Sequence, residues 1–130
     1  LKKVLLVAFV LLLAASCKQA NMEPGGPELS VSFRFEKGHR CASVSPELRI
    51  ANVPPGTKSF DIRLKDRDVP TWNHGGGKVP NDGSGVIGEG ALSSYNGPCP
   101  PSGSHVYEFT VQALDAGGAV LATGRAKQSF

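Results

Sequence analysis

From Leu29 to Phe35 apolar and polar residues alternate, with Val31, Phe33 and Phe35 on one side and Ser30, Ser32 and Arg34 on the other. A period of two is the signature of a half-buried β-strand. Glu47–Val53 repeats it more weakly and closes on Pro54-Pro55-Gly56. Ser59–Lys65 is the clearest case, Phe60, Ile62 and Leu64 alternating with Asp61, Arg63 and Lys65. His105–Leu114 places Tyr107, Phe109, Val111 and Ala113 on one face. Asp115-Ala116-Gly117-Gly118 then reads as a turn, and Ala119–Gln128 as a returning strand. Between Asp66 and Pro101 the chain is rich in Gly, Pro and Asn, which predicts a long loop, functional or poorly ordered. No sustained helical period follows residue 17, so the expected class is all-β, a sandwich.

The same parity carries a functional hint. Side chains two apart in a strand share a face. Extending the core-facing series Phe60, Ile62, Leu64 leads to Asp66 and Asp68, and reading the series Val111, Phe109, Tyr107 backward leads to His105. If the two strands are antiparallel neighbours, carboxylates and imidazole meet at one end of the sheet, and His74 is close enough in sequence to join them. Charges on the core side of a sheet are costly unless paired. The pattern therefore predicts an acid–imidazole cluster at one rim. The plainer alternative is a turn at Asp68-Val69-Pro70 with its carboxylates in water.

At the N-terminus, Lys2 and Lys3 precede an apolar run, Val4–Ala15, and small residues lead to Cys17. That is the order of an export signal. The run is shorter than the roughly 20 residues a membrane span needs. Ala14-Ala15-Ser16-Cys17 resembles a lipobox, with Ala14 where the commoner form has Leu. Residues 1–17 are then a lipoprotein-type signal peptide ending at a lipidated Cys17, 18–28 a flexible Pro/Gly-containing tether, and 29–130 one folded domain. Simple secretion, with Cys17 unmodified, is the alternative. Export places the domain in the cell envelope, membrane-anchored on a periplasmic or extracellular face. Lys18, where an aspartate would retain a lipoprotein in the inner membrane, points to the outer membrane of a Gram-negative cell.

The chain has 14 basic and 11 acidic residues. Without Lys2 and Lys3 the balance is close to neutral and no basic block remains, which argues against nucleic acid as a partner. Sixteen glycines and ten prolines fit many turns and little helix. With Cys17 set aside, Cys41 and Cys99 remain. An exported domain with two cysteines invites a disulfide, free buried thiols being the other possibility. His39, His74, His105, Asp66 and Asp68 have no closed zinc spacing, so no metal or other cofactor is expected.

Several ordered motifs resemble the phosphatidylethanolamine-binding protein family, in its bacterial Raf-kinase-inhibitor-like branch. Asp66-Arg67-Asp68-Val69-Pro70 stands where the family has Asp-Pro-Asp-x-Pro, and Trp72-Asn73-His74 matches its Trp-x-His. Gly97-Pro98-Cys99-Pro100-Pro101 is complete, and Gly103-Ser104-His105-Val106-Tyr107 matches Gly-x-His-Arg-Tyr except at Val106. Phe109 and Ala113-Leu114-Asp115 downstream, and Ser45-Pro46-Glu47-Leu48 and Val53–Ser59 upstream, also fit. The resemblance implies a Greek-key β-sandwich with an anion pocket lined by Asp66, Asp68, His74, His105 and Tyr107. Carboxylates beside an imidazole favour its charged form, which can donate to phosphate or carboxylate.

The departures concern Arg67 for Pro, Val106 for Arg, a short link through Gly75-Gly76-Gly77, and an end at Phe130 without the C-terminal helix bordering the pocket in many relatives. They imply a trimmed sandwich with a more open pocket. The leading expectation is a non-enzymatic, lipid-anchored module binding a small anionic group or a phospholipid headgroup. The alternatives are a structural or interaction sandwich with a lost pocket, and a hydrolase using histidine as general base with an aspartate to orient it.

Overall fold

A computed structural model describes residues 27–130. The export signal, lipidation at Cys17 and most of the tether therefore lie outside the described residues. Eight strands form, all paired antiparallel: β1 (Ser30–Phe33), β2 (Leu48–Ala51), β3 (Ser59–Asp66), β4 (Asn73–Pro80), β5 (Val86–Ile87), β6 (Ser94–Tyr95), β7 (Val106–Leu114) and β8 (Val120–Ser129). A three-stranded sheet has the order β1-β2-β5 and a five-stranded sheet the order β6-β4-β3-β7-β8. Among the described residues the helical element is one short 3-10 turn, Lys37–His39. The class is all-β, and the alternating segments of the sequence are strands β1, β2, β3, β7 and β8.

The core lies between the sheets because each long strand buries one parity of its residues. Phe60, Ile62 and Leu64 of β3 and Tyr107, Phe109 and Val111 of β7 are buried, as is Leu48 of β2. Each such side chain contributes about 1.5–3 kcal/mol relative to exposure. Phe33 meets Phe109 edge-on, with ring centroids 4.8 Å apart, and Phe35 packs on Phe130 at 5.2 Å. Phe35 lies past the end of β1, where its backbone N–H donates to the Gln128 side chain at 2.8 Å. A disulfide joins Cys41 to Cys99 across 58 positions and ties the segment after the 3-10 turn to the one before β7.

The expected loop from Asp66 to Pro101 is instead largely ordered structure, since it contains β4, β5 and β6. Its glycines concealed this. Within β4, Gly75 and Gly76 have φ of +65° and +151°, and a side chain on either would collide with a carbonyl oxygen, Ser94 for Gly75 and Ile62 for Gly76. Both neighbouring strands thus approach so closely that only glycine fits. The pairing of β3 with β4 also shifts register between Arg63 and Lys65. That irregularity lies beside the residues gathered at the sheet's end.

Candidate functional site

Strand parity and register assemble a cavity of about 320 Å³ at one end of the sandwich, lined by Asp66, Val69, Trp72, His74, Cys99, Pro101, His105 and Tyr107. Asp66 is the last residue of β3 and faces the core like Leu64 before it; its partner in β7 is Tyr107. His105 lies just ahead of β7, so the antiparallel pairing brings it to Asp66. His74 is the second residue of β4, on the other side of β3.

Asp66 is the most connected residue of the group. Its Oδ1 accepts the backbone N–H groups of Asp68 at 2.9 Å and Val69 at 3.0 Å, and its Oδ2 stands 2.7 Å from His105 Nδ1. Burial works to raise its pKa. The His105 hydrogen bond, the two backbone donors and the charge of His105 outweigh this and hold the carboxyl below its ordinary value. Asp66 is therefore an anion, and His105 donates through Nδ1, leaving Nε2 uncommitted.

His74 is fixed in the same sense. Its Nδ1 lies 2.7 Å from the Asn96 carbonyl oxygen, which can only accept, so Nδ1 carries the proton. The backbone N–H of Asn96 donates back to the His74 carbonyl at 2.9 Å. Between the two imidazoles sits Tyr107. His74 meets it edge-on with centroids 5.4 Å apart, and His105 stacks on it at 6.2 Å. Tyr107 is fully buried, and its Oη makes no well-formed hydrogen bond among the described residues, with the Cys99 backbone and the Asp66 carboxylate as the polar groups beside it. Burial, then the Asp66 charge, pushes the phenol up to about 12, so it stays a donor.

Asp68 does not join this group. The strand ends at Asp66, and the turn held by the Asp66 carboxylate sends the next residues outward. Asp68 is exposed, and its Oδ2 accepts the Val106 N–H at 2.7 Å, pinning the β3–β4 connection to β7. The two-residue parity that placed it in the pocket holds only while the chain stays extended. Arg67 likewise lies outside, with Nη1 3.7 Å from Glu108 Oε1. His39 lines a separate groove with Glu36 and Glu89. The backbone N–H of Glu36 donates to its Nδ1 at 2.8 Å.

No family model matches the chain. Among curated relatives, the UPF0098 protein YbhB of Escherichia coli is 36% identical over 101 residues, which cover 60% of this chain and 64% of that protein. The UPF0098 protein YbcL of the same organism is 31% identical over 116 residues, covering 68% of this chain and 63% of the relative. The chain thus spans a little under two thirds of the length of these relatives. Two solved structures share the fold. A phosphatidylethanolamine-binding protein homolog from Chlamydia trachomatis superposes with a TM-score of 0.63 at 23% identity, covering 80% of this chain and 97% of that one. E. coli YbcL, described as a member of the mammalian family, does so with a TM-score of 0.61 at 21% identity, covering 79% and 98%.

The chain is similar to the UPF0098 proteins YbhB and YbcL and shares the fold of the solved phosphatidylethanolamine-binding protein homologs. Four of the five residues that the family motifs single out, Asp66, His74, His105 and Tyr107, line one cavity here. The walls were not legible as a site in the sequence. Val69, Trp72, Pro101 and the bridged Cys99 make the cavity predominantly apolar around a few polar atoms. Trp72 and Pro101 belong to family motifs, but nothing in their spacing distinguishes a wall from ordinary packing. Asn96, which fixes the His74 ring through its backbone, leaves no side-chain signal to find.

Proposed function

We propose that the domain is a binding module which holds a small anionic group at the floor of this cavity. The group is a phosphate, a carboxylate or a phospholipid headgroup, the last in keeping with the name of the Chlamydia relative. One observation carries the reading: two imidazoles line the same cavity, and each spends Nδ1 inside the protein while Nε2 stays uncommitted. The Nε2 atoms of His74 and His105 are the groups left to meet an anion, and charge-assisted donors to phosphate are the strong ones. Asp66 offsets the charge of His105 and fixes its ring without presenting a free oxygen to the ligand.

The reading extends to the whole chain as export through the N-terminal signal and anchoring through lipidated Cys17, which sets the pocket at the cell envelope. It is a reading of binding rather than catalysis. The Asp66–His105 pair is oriented like a general base, but the described lining residues include no serine, threonine or free thiol to act as nucleophile.

His105→Gln separates the binding module from a merely structural sandwich, because the amide keeps a donor for Asp66 while removing the ring and its Nε2. The binding reading expects phosphoethanolamine affinity to fall at least about tenfold, one lost charge-assisted hydrogen bond, with the thermal midpoint nearly unchanged. Unchanged affinity would leave the structural sandwich as the better account.

A further inference from the structure

The outer face of the five-stranded sheet carries its charges in rows set by register. Across β4, β3, β7 and β8 one row reads Lys78, Asp61, Gln112, Thr123. The next reads Arg63, Thr110, Arg125 across β3, β7 and β8, and the row nearest the cavity Lys65, Glu108, Lys127. Arg67 continues the line past Lys65. Six cations thus share this side with the carboxylates of Asp61 and Glu108. Asp61 pairs with Arg63 at 2.8 Å, and buried Glu108 is shared by Arg67 at 3.7 Å and Lys127 at 3.6 Å. Lys65, Lys78 and Arg125 have no ion pair among the described residues.

A second, independent feature sits at the same end. Of the large apolar side chains exposed among the described residues, Val69, Trp72 and Val106 are at the cavity end, Trp72 at 65% exposure. Val69 and Trp72 form the lip of the cavity, and Val106 accepts the Arg67 N–H at its carbonyl, 2.7 Å away. Arg40 reaches the opposite lip, donating to the Pro100 carbonyl at 3.2 Å. The exposed carboxylate here is Asp68, with one oxygen already taken by Val106. An apolar tip bordered by cations matches a bilayer surface: tryptophan settles at headgroup depth, and Lys and Arg meet anionic lipid.

We infer that the cavity end and the adjoining edge of the basic sheet face dock on an anionic phospholipid bilayer, with Trp72 entering the headgroup layer. The docking goes beyond the pocket reading and stands without it. Where both hold, the cavity mouth faces the lipid that supplies its ligand.

Trp72 is the one tryptophan of the chain, so its fluorescence reports this tip and no other site. The full chain is mixed with vesicles of phosphatidylcholine, or of phosphatidylcholine with phosphatidylglycerol, with and without brominated acyl chains. With anionic vesicles the emission shifts to the blue and brominated lipid quenches it, whatever the N-terminal segment contributes to attachment. Lys65→Glu weakens the quenching about tenfold in lipid titrations, and Val69→Asp also weakens it. Salt weakens it as the Debye length falls from about 10 Å at 0.1 M to about 3 Å at 1 M. In Lys65→Glu the shifts that phosphate induces in the His105 ring persist, so docking and pocket fail separately. Emission unmoved in anionic vesicles overturns the inference, as does equal quenching in neutral ones. So does displacement from anionic vesicles by polyglutamate at equal charge concentration, which would point to an acidic protein partner.

Discussion

His105 Nδ1 and Asp66 Oδ2 stand 2.7 Å apart across 39 positions of sequence. The pairing of β3 with β7 brings them together, and the turn at Asp68 and Val69 holds the carboxylate in place. This contact links fold to site, because it orients the ring and leaves Nε2 for a ligand.

Asp66→Asn tests the contact. The amide has one oxygen where the carboxylate used two, so one donor among His105, Asp68 and Val69 loses its acceptor. Unfolding in urea should show a loss of about 1–3 kcal/mol. The acid limb follows with a definite sign. The folded carboxyl lies below its ordinary value, so its stabilisation is complete above the unfolded pKa of about 3.9 and is lost as pH falls through the folded pKa. Melting curves below pH 4 should fall more steeply for wild type than for Asp66→Asn.

Tyr107→Phe separates stability from function. Removing a buried hydroxyl with no partner should leave the ligand-free protein as stable or up to about 1 kcal/mol more stable. Its affinity for phosphoethanolamine, followed by calorimetry, should stay close to that of wild type, since the fully buried hydroxyl offers a ligand no surface. The folded phenol is raised to about 12 against about 10 unfolded, so wild-type stability should also drop as pH rises through that window, and the phenylalanine variant should lose this component. A clearly destabilised variant at neutral pH would mean that the hydroxyl has a partner within the protein.

Gly76→Ala should be among the most damaging single changes. The new Cβ meets the Ile62 carbonyl oxygen at a φ of +151°, and both strands would have to part. A loss of about 3 kcal/mol or more, or no soluble folded protein, is expected. Gly83→Ala, with open space around it but also a positive φ, serves as the milder control for backbone strain alone.

These glycines also explain what the sequence revealed and what it hid. Alternation marks a strand only where side chains alternate, and β3, β7 and β8 carry enough of them to be read directly. Strand β4 replaces that signal with Gly75, Gly76 and Gly77, whose pattern is indistinguishable from a loop until the neighbouring carbonyls are in view. At the site, parity located Asp66 and His105 because the chain is extended through both. It misplaced Asp68, since Asp66 folds the backbone into a turn one residue later. Closeness in sequence suggested His74 as a further member, and the motif resemblance added Tyr107 to the site.

Reduction of Cys41–Cys99 should cost about 4 kcal/mol on the chain-entropy model for a loop of 58 positions. Because Cys99 is also a wall of the cavity, ligand affinity should fall with it. Paired urea curves and ligand titrations, with and without reductant, measure both effects. Loss of stability with unchanged affinity would show that the wall keeps its place without the bridge.

The central claim is that the cavity binds an anion through its two imidazoles. Its most direct test is a titration of the protein with phosphate, acetate and phosphoethanolamine, following the His74 and His105 ring signals by NMR. The account expects saturable shifts at both rings for at least one of these anions, with His39 silent. Rings that stay unmoved in a folded sample would contradict it.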